Sequence, residues 1–267
     1  MGRASTDKNG VNMEKMLAAA LVAAVHATAV AQGSELTASA GVDYTRGDYG
    51  LDEKTQITSF LLAGKYETGR WTYRASLPYL RISGPSSVVG SGEGGVTLPG
   101  QGGPRRSASG FGDLVLAASF LALHDRAGPF FLDVGAKVKL GTGDEAKGLG
   151  TGEEDFSLQA EAFKPYGGLT PFALLGYRWY GDPEGIDLNN VVYGSLGAAY
   201  RVSAATSAGA AYDFRGRIVD GGARVSELVA FVSRSLSADL KLQFYVLKGF
   251  ADASPDHGVG AVLSHTY

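Results

Sequence analysis

Most of this chain consists of short segments in which apolar and polar residues alternate. In residues 155–162 the apolar positions are Phe156, Leu158, Ala160 and Ala162, and the polar positions between them are Asp155, Ser157, Gln159 and Glu161. Successive side chains of a β-strand point to opposite faces, so the pattern predicts a strand with one apolar and one polar face. A soluble β-sandwich and a membrane β-barrel both use such strands, and the alternation by itself leaves both open.

Alternating segments follow one another from Glu35 to the end of the chain. They cover residues 36–46, 55–66, 70–82, 111–123, 129–140, 155–164, 169–180, 190–201, 206–218, 224–235, 239–250 and 257–267. Each is close to the roughly 9 to 11 residues that a tilted strand needs to cross a membrane. Short connections such as 67–70 alternate with long, Gly-rich ones such as 141–154. Tight turns at one end and long loops at the other are typical of outer-membrane barrels, whose turns lie in the periplasm.

The composition of the two faces separates the sandwich from the barrel. Many apolar positions are Ala rather than the bulky residues of a soluble core, and the polar faces are rich in Gly, Ser and charged residues. Segments 55–66 and 224–235 fit less well, because either register leaves polar residues on the lipid side. The sequence therefore predicts an all-β fold, a transmembrane antiparallel up-and-down β-barrel of about 12 strands. Residues 83–110 are predicted to form its long extracellular loop.

The N-terminal region has the features of an export signal. Lys15 precedes an apolar run at residues 16–25, and the small residues at 29–31 form a cleavage site. The run is shorter than the about 20 residues that a membrane helix needs. We therefore expect residues 1–31 to be a signal peptide that is cleaved on export.

The remainder, residues 32–267, is predicted to be the barrel. Translation is expected to begin at Met13 or Met16, because the polar segment before them is long for a signal peptide. The 267 residues carry a net charge of -3 and include no Cys. This composition indicates neither a nucleic-acid partner nor disulfides or thiolate metal sites. We expect a protein of the Gram-negative outer membrane that contacts lipid and lipopolysaccharide and needs no cofactor.

Charged residues on the polar faces would point into the barrel. The predicted lumen-lining residues are Asp43, Arg74, Asp113, Asp133, Lys137, Lys139, Glu161, Arg178, Arg201, Asp213, Arg215, Arg217 and Lys241, together with Lys65 and Glu227. They would line an aqueous path and set its selectivity by charge, and a local positive excess favours anionic solutes. A closed structural barrel, in which these charges pair, is the alternative. The interior of an eight-stranded barrel is filled by side chains, and a barrel of about sixteen strands encloses an open channel. A barrel of twelve strands lies between these two cases.

Aromatic residues concentrate near the ends of the predicted strands, as amphipathic rings do at membrane interfaces. Trp71 and Tyr200 lie towards the turns, and Trp179 lies towards the loops. The last segment, "GVGAVLSHTY", ends in Tyr267 and resembles the signal that the barrel-assembly machinery reads. His265 departs from that pattern, which usually has an apolar or aromatic residue there.

Few residues indicate catalysis. A lipid-modifying barrel enzyme is an alternative hypothesis, but His265 is predicted to face lipid while Ser264 and Thr266 point the other way. The "GSGEGG" motif at 90–95 fits a nucleotide-binding pattern, yet no strand and helix flank it as that pattern requires. The acidic residues between 144 and 155 lack the regular spacing of a calcium loop. We therefore predict no enzyme, no metal and no catalytic residue.

Three segments resemble a known family. They are "GFGDLVLAASFLAL" (110–123), "LGTGDEAKGLGTGEEDFSL" (140–158) and "GGLTPFALLGYRWYGDP" (167–183). They are similar to outer-membrane transporter-like proteins labelled with a MetA pathway of phenol degradation. The resemblance implies an outer-membrane barrel often associated with the handling of aromatic compounds, and it carries over no active-site motif. Together with the charged faces, it predicts a porin-like channel or transporter in which small organic solutes, aromatic or anionic, pass by diffusion.

Overall fold

The structure, a computed structural model, describes residues 31–91, 94–98, 104–125 and 130–267. The predicted signal peptide lies outside these residues except for Ala31, so its cleavage stays a prediction. Within the described ranges the chain consists of β-strands and their connections, with one 3-10 helix at Glu145–Lys147. None of the helical structure described there is long and apolar enough to cross a membrane.

Fifteen strands occupy the described ranges. They are β1 (Ala31–Gly47), β2 (Thr55–Gly69), β3 (Trp71–Pro85), β4 (Val88–Ser91), β5 (Gly94–Thr97), β6 (Arg105–Phe111), β7 (Leu114–Asp125), β8 (Phe130–Leu140), β9 (Asp155–Phe163), β10 (Leu169–Trp179), β11 (Val191–Arg201), β12 (Thr206–Arg215), β13 (Val225–Ser235), β14 (Leu240–Gly249) and β15 (His257–Thr266). All except β4 and β5 belong to one antiparallel sheet, and β1 pairs with both β2 and β15. The sheet is therefore closed into a barrel.

Strands β6 and β7 are two parts of one barrel strand. Both pair with β3, β6 along residues 79–85 and β7 along 71–76. Gly112 and Asp113 interrupt the strand between them, and the Gly112 amide donates to the Pro78 carbonyl at 2.9 Å. The barrel thus has twelve strands, which confirms the predicted fold. The predicted strand 111–123 and loop 83–110 need correction, because β3 and β6 extend the wall to residues 85 and 105.

The alternation places apolar side chains outside the barrel. On β9, Phe156 and Leu158 are exposed, whereas Asp155 and Ser157 are buried. Exposed apolar side chains on every side are expected where the surface contacts hydrocarbon. In β13 the inner face is itself partly apolar, since it carries the buried Val229. This explains why its alternation is weak in the sequence.

Hydroxyl pairs close the seam between the first and last strands. Ser39 and Ser264 share a hydrogen bond of 2.9 Å, and Thr37 and Thr266 share one of 3.2 Å. The amide of Tyr267 donates to the Leu36 carbonyl at 2.8 Å. Both ends of the described barrel chain therefore lie at one rim.

The two rims differ in their connections. Short connections such as Arg70, 164–168 and 202–205 lie at the rim that holds β1's start, which we call the turn end. Longer connections, including 86–104 and 141–154, lie at the other rim, which we call the loop end. Exposed aromatic residues border both rims, with Trp71 and Tyr200 at the turn end and Trp179 at the loop end.

Candidate transport pathway

Most of the predicted charged residues lie on inward-facing positions of the strands. Buried members are Lys65, Asp113, Lys137, Lys139, Arg178, Arg215, Glu227 and Lys241, and half-buried members are Asp43, Arg74, Asp133, Glu161 and Asp213. They share the face of each strand that is turned away from the exposed apolar residues. The barrel therefore brings charges from ten of its strands around one interior.

Arg201 and Arg217 lie outside this interior set. Strand β12 ends at Arg215, so Arg217 belongs to the loop that follows and its side chain is exposed. Arg201 is the last residue of β11 and is exposed at the turn end. The prediction that Arg217 lines the lumen needs correction, because it extended the strand pattern past the end of β12. Arg201 is on the same face of β11 as the buried Ala199, at the rim, and its place in the lumen stays a prediction.

A buried ion network lies near the loop end. The Lys139 ammonium donates to an Asp113 carboxylate oxygen at 3.0 Å, and an oxygen of Asp155 lies 3.6 Å away. The same ammonium donates to the Thr151 hydroxyl at 3.1 Å and to the Glu153 carbonyl at 2.7 Å. Lys139 thus ties the loop 141–154 to the inner wall.

A second charged group lies closer to the turn end. Asp133 of β8 and Glu161 of β9 are cross-strand partners, and both interact electrostatically with Arg74 of β3. A guanidinium nitrogen of Arg74 also donates to the Ser119 hydroxyl at 3.3 Å. One cation therefore offsets two neighbouring carboxylates.

A third group surrounds Tyr193 of β11. The Lys137 ammonium lies 5.2 Å from the centre of the Tyr193 ring, and the Arg178 guanidinium carbon lies 5.1 Å from it. These distances are within the range of a cation–π contact. The Tyr193 hydroxyl donates to Gln159 at 2.8 Å, and Arg178 donates to the Ser157 hydroxyl at 3.2 Å. The group joins strands β8 to β11.

The interior also contains an apolar cluster. The cluster consists of Leu61, Phe172, Ala199, Ala211, Val229, Phe231, Tyr245, Leu247 and Val262, from β2 and from β10 to β15. We call it the apolar wall. The inward charges of β3 and of β8 to β10, together with Asp113, are called the charged wall. Further inward charges lie on the strands of the apolar wall and on β1, namely Asp43, Lys65, Asp213, Arg215, Glu227 and Lys241. The sequence interpretation missed the apolar wall, because it considered the ionisable residues of the inner faces and not the aromatic ones.

Glycines let inward-facing aromatic rings lie against the barrel wall. Tyr193 faces Gly176 across β10 and β11, where an added Cβ would lie 2.4 Å from the ring atom Cζ. Tyr245 covers Gly260 in the same way, with 2.3 Å to Cζ. Phe172 over Gly197 and Phe231 over Gly209 repeat the arrangement. Because a Cβ would push each ring away from the wall, these glycines keep the rings out of the central space.

A hairpin of β4 and β5 crosses the loop end. We call residues 87–98 the strap, of which 87–91 and 94–98 are described. Val88 is fully buried in an apolar cluster with Tyr49, Ile57, Leu80, Ile82 and Leu149. Val89 belongs to a different cluster, with Val191 and Ile218. The first cluster lies on β2 and β3, and the second lies on β11 and the loop after β12. Four barrel strands separate the two clusters in each direction around the barrel, so the strap joins opposite sides of the mouth.

Hydrogen bonds to backbone carbonyls hold the strap on the neighbouring loops. The amide of Gly90 donates to the Gly148 carbonyl at 2.8 Å. The Thr97 hydroxyl donates to the Tyr49 carbonyl at 3.3 Å. Tyr49 and Gly50 both have positive φ, 55° and 77°, in a turn that presses the Tyr49 side chain under the strap. Burial raises the pKa of Tyr49 well above its usual range, so the phenol stays neutral.

An exposed ion pair links two other loops at the same end. The Lys54 ammonium donates to the Asp256 carboxylate at 2.5 Å, and this hydrogen bond lowers the pKa of Asp256. Since the pair is solvated, its contribution to stability is small.

The described Ser, His and acidic residues that were candidates for catalysis or metal binding do not come together in one site. Ser264 faces inward onto Ser39, whereas His265 is exposed on the outer face and its ring lies 4.5 Å from that of Tyr267. The two cannot form a nucleophile and base pair in this arrangement. His257 is exposed at the start of β15. Among the described residues, no three His, Asp or Glu side chains are grouped to hold a metal ion.

Comparison with protein families agrees with this architecture. The family described as "Putative MetA-pathway of phenol degradation" matches residues 39–267. The chain belongs to this family. The match begins within β1 and covers the other eleven barrel strands, the strap and the Lys139 network, and it confirms the resemblance seen in the sequence. No curated protein sequence matches the chain.

Solved structures of other outer-membrane proteins have a barrel similar to that of this chain. The COG4313 outer membrane channel from Pseudomonas putida F1 is similar with a TM-score of 0.71 and 18% identity, over 90% of this chain and 97% of that chain. The KdgM and NanC porins each have a TM-score of 0.51 and 9% identity, over 86% of this chain and 99% and 97% of theirs. At these identities the likeness establishes the fold of an outer-membrane barrel.

Proposed function

We propose that this protein is an outer-membrane channel through which small organic solutes, aromatic or anionic, pass by diffusion. The observation that carries the proposal is an interior that combines inward charges with the apolar wall. A small molecule with both a ring and an acidic group can contact both walls at once. The phenol degradation named in the family description supports aromatic solutes.

The strap would set which solutes enter. It crosses the mouth through apolar contacts on both sides, at Val88 and Val89. Passage beside it favours compact, partly apolar molecules over large hydrated ones, because polar groups lose hydration there without gaining hydrogen bonds. The charged wall below the strap would then hold the acidic part of the solute.

The difference between the two rims supports an orientation in the membrane and a set of partners. The loop end would face the exterior and contact lipopolysaccharide, and the turn end would face the periplasm. Residues 1–31 would direct export as a signal peptide and would then be cleaved. The last strand, β15, and the exposed Tyr267 would be read by the barrel-assembly machinery during insertion.

Transport is tested by reconstituting the purified barrel in planar bilayers and in liposomes. We expect discrete conductance steps, and swelling of liposomes in benzoate or phenol that exceeds swelling in a disaccharide of larger size. A closed barrel, whose interior charges pair with one another, would give neither steps nor swelling above protein-free membranes. That result would remove the channel function.

A further inference from the structure

We infer that three basic residues on the outer face of the barrel bind the phosphate groups of lipopolysaccharide. They are Lys248 of β14, His257 of β15 and Arg46 of β1, and we call them the basic row. The inference rests on the proposed function, in which the loop end faces the exterior. It names the residues that recognise the lipid and the chemical group that they bind.

The register of three neighbouring strands places these side chains next to one another. His257 is the cross-strand partner of Lys248 on one side and of Arg46 on the other. Directly paired residues of antiparallel strands have Cα atoms about 4.5–5.5 Å apart and side chains on the same face. All three residues are exposed. The basic row is therefore a compact and accessible patch on three adjacent strands.

The basic row borders the apolar band of the outer face. Two residues nearer the turn end, the same strands carry Val246, Val259 and Tyr44, which are again cross-strand partners. Both valines are exposed. The apolar band of an outer-membrane barrel contacts hydrocarbon, so its edge at the loop end lies at the headgroups of the outer leaflet. Lipopolysaccharide carries phosphate groups at this level, where its acyl chains join its sugars.

One carboxylate lies beside the basic row. Asp256 interacts electrostatically with Lys248 and His257, and it accepts a hydrogen bond from Lys54 in the loop before β2. Its charge is thus shared among three basic residues. Within the described part of the chain, Arg46 forms no ion pair. Like charges directly opposite each other on neighbouring strands are destabilising, and a bound phosphate would offset them.

Two further acidic residues lie in the adjoining loops. The Asp48 side chain accepts from the Gly50 amide at 3.0 Å, and the Cβ of Asp252 lies 3.2 Å from the position of a Cβ added at Gly50. Both residues come after the last residues of their strands, β1 and β14. Neither of them forms an ion pair with the described residues of the basic row.

The donors of the basic row are suited to phosphate. The planar guanidinium of Arg46 can donate two parallel hydrogen bonds to two oxygens of one phosphate, and the Lys248 ammonium acts as a point charge. Between them, an imidazole N–H of His257 adds a further donor. The row can therefore contact more than one phosphate oxygen at the same time.

The opposite side of the barrel has a different outer surface at the same rim. The outward residues at the loop ends of β9, β10 and β11 are Phe156, Trp179 and Val192, all exposed. These strands lie across the barrel from β14, β15 and β1 in the order of the sheet. The bound phosphate groups would therefore lie on the side of the barrel that the first and last strands form.

Binding is tested on the folded barrel in detergent, with bisphosphorylated lipid A, its dephosphorylated form and phosphatidylglycerol as probes. Native mass spectrometry gives the bound fraction and an apparent Kd for each lipid. We expect lipid A to bind at least about tenfold more tightly than the other two. The dephosphorylated form has no phosphate for the basic row, and phosphatidylglycerol has only one.

Substitutions in the basic row should weaken lipid A. Arg46→Gln and Lys248→Gln should each raise its apparent Kd about fivefold, and the double variant should raise it about 20- to 30-fold. Arg46→Lys should weaken lipid A less than Arg46→Gln, because it keeps the charge. The control is Arg234→Gln, which removes an exposed arginine from the outer face of β13 near the turn end and should leave lipid A binding unchanged.

Each variant is first shown to be folded by its heat-dependent mobility in gel electrophoresis. Equal affinity for lipid A and its dephosphorylated form, or unchanged affinity in the folded double variant, would overturn the site. Equal affinity for phosphatidylglycerol would overturn the assignment to lipopolysaccharide. Conductance without a preference for lipid A would refute the site and leave the channel, whereas lipid A binding without conductance or swelling would refute the channel alone.

Discussion

At the scale of single residues, the interior depends on pairs of an aromatic ring and a glycine. Tyr193 over Gly176 and Tyr245 over Gly260 are directly opposite each other in the register of neighbouring strands. Tyr245 also donates to Asp43, which holds its ring towards the seam. These pairs could not be found from the sequence, because a cross-strand partner is defined by register and not by spacing along the chain. The charged residues could be found, because alternation alone places them on one face.

Gly176→Ala tests the ring and glycine pair. The added methyl group meets the ring of Tyr193, so the ring must move into the interior, and overpacking of this kind costs about 1–3 kcal/mol. We expect a lower free energy of unfolding in urea and a smaller conductance. Gly64→Ala is the matched control, since an added Cβ there has no atom within 4 Å. Equal effects of the two substitutions would show that the ring does not rest on Gly176.

At the scale of elements, the loop end is built from the strap and the loop 141–154. The strands of the wall could be predicted from the sequence, because most of them show period-two alternation over ten or so residues. The strap could not, since β4 and β5 have only four residues each and lie in a Gly- and Ser-rich segment. Its position is decided by tertiary contacts of Val88 and Val89, which local sequence patterns do not encode.

Lys139→Met tests the network that holds the loop 141–154. Removing the ammonium leaves Asp113 and Asp155 buried without their cation, and breaking a buried pair in this way costs about 3–5 kcal/mol. We expect a lower free energy of unfolding and faster proteolysis within the loop. Lys147→Met, which breaks an exposed pair with Asp144, should change neither quantity. Comparable losses of unfolding free energy in the two variants would contradict a role of the buried Lys139 network in holding the loop.

Replacing the strap tests its role at the mouth. When residues 87–98 are exchanged for a short Gly-Ser linker, the apolar contacts at Val88 and Val89 are lost and the mouth widens. We expect a several-fold larger single-channel conductance and swelling in larger sugars. Val202→Ser, at an exposed turn on the opposite rim, is the control and should conduct as the native protein does. Unchanged conductance without the strap would show that the narrowest point lies elsewhere.

At the scale of the whole molecule, one rule organises the barrel. Apolar side chains face outward and most charged ones face inward on the strands, and the same rule predicts the closed twelve-stranded sheet from the sequence. The rule does not predict the apolar wall, because that wall consists of one or two inward residues from each of seven strands. Only closure of the sheet brings these residues together.

The orientation of the two faces is measured most directly by single-cysteine labelling, because the native chain has no Cys. Leu158→Cys and Gln159→Cys place a thiol on opposite faces of β9, the first exposed to the outside and the second turned inward. In liposomes we predict that a small charged thiol reagent modifies Cys only in the Gln159 variant and reduces its conductance. A lipid-soluble reagent should modify the Leu158 variant. Modification of the Leu158 variant by the charged reagent, with the Gln159 variant protected, would contradict the account.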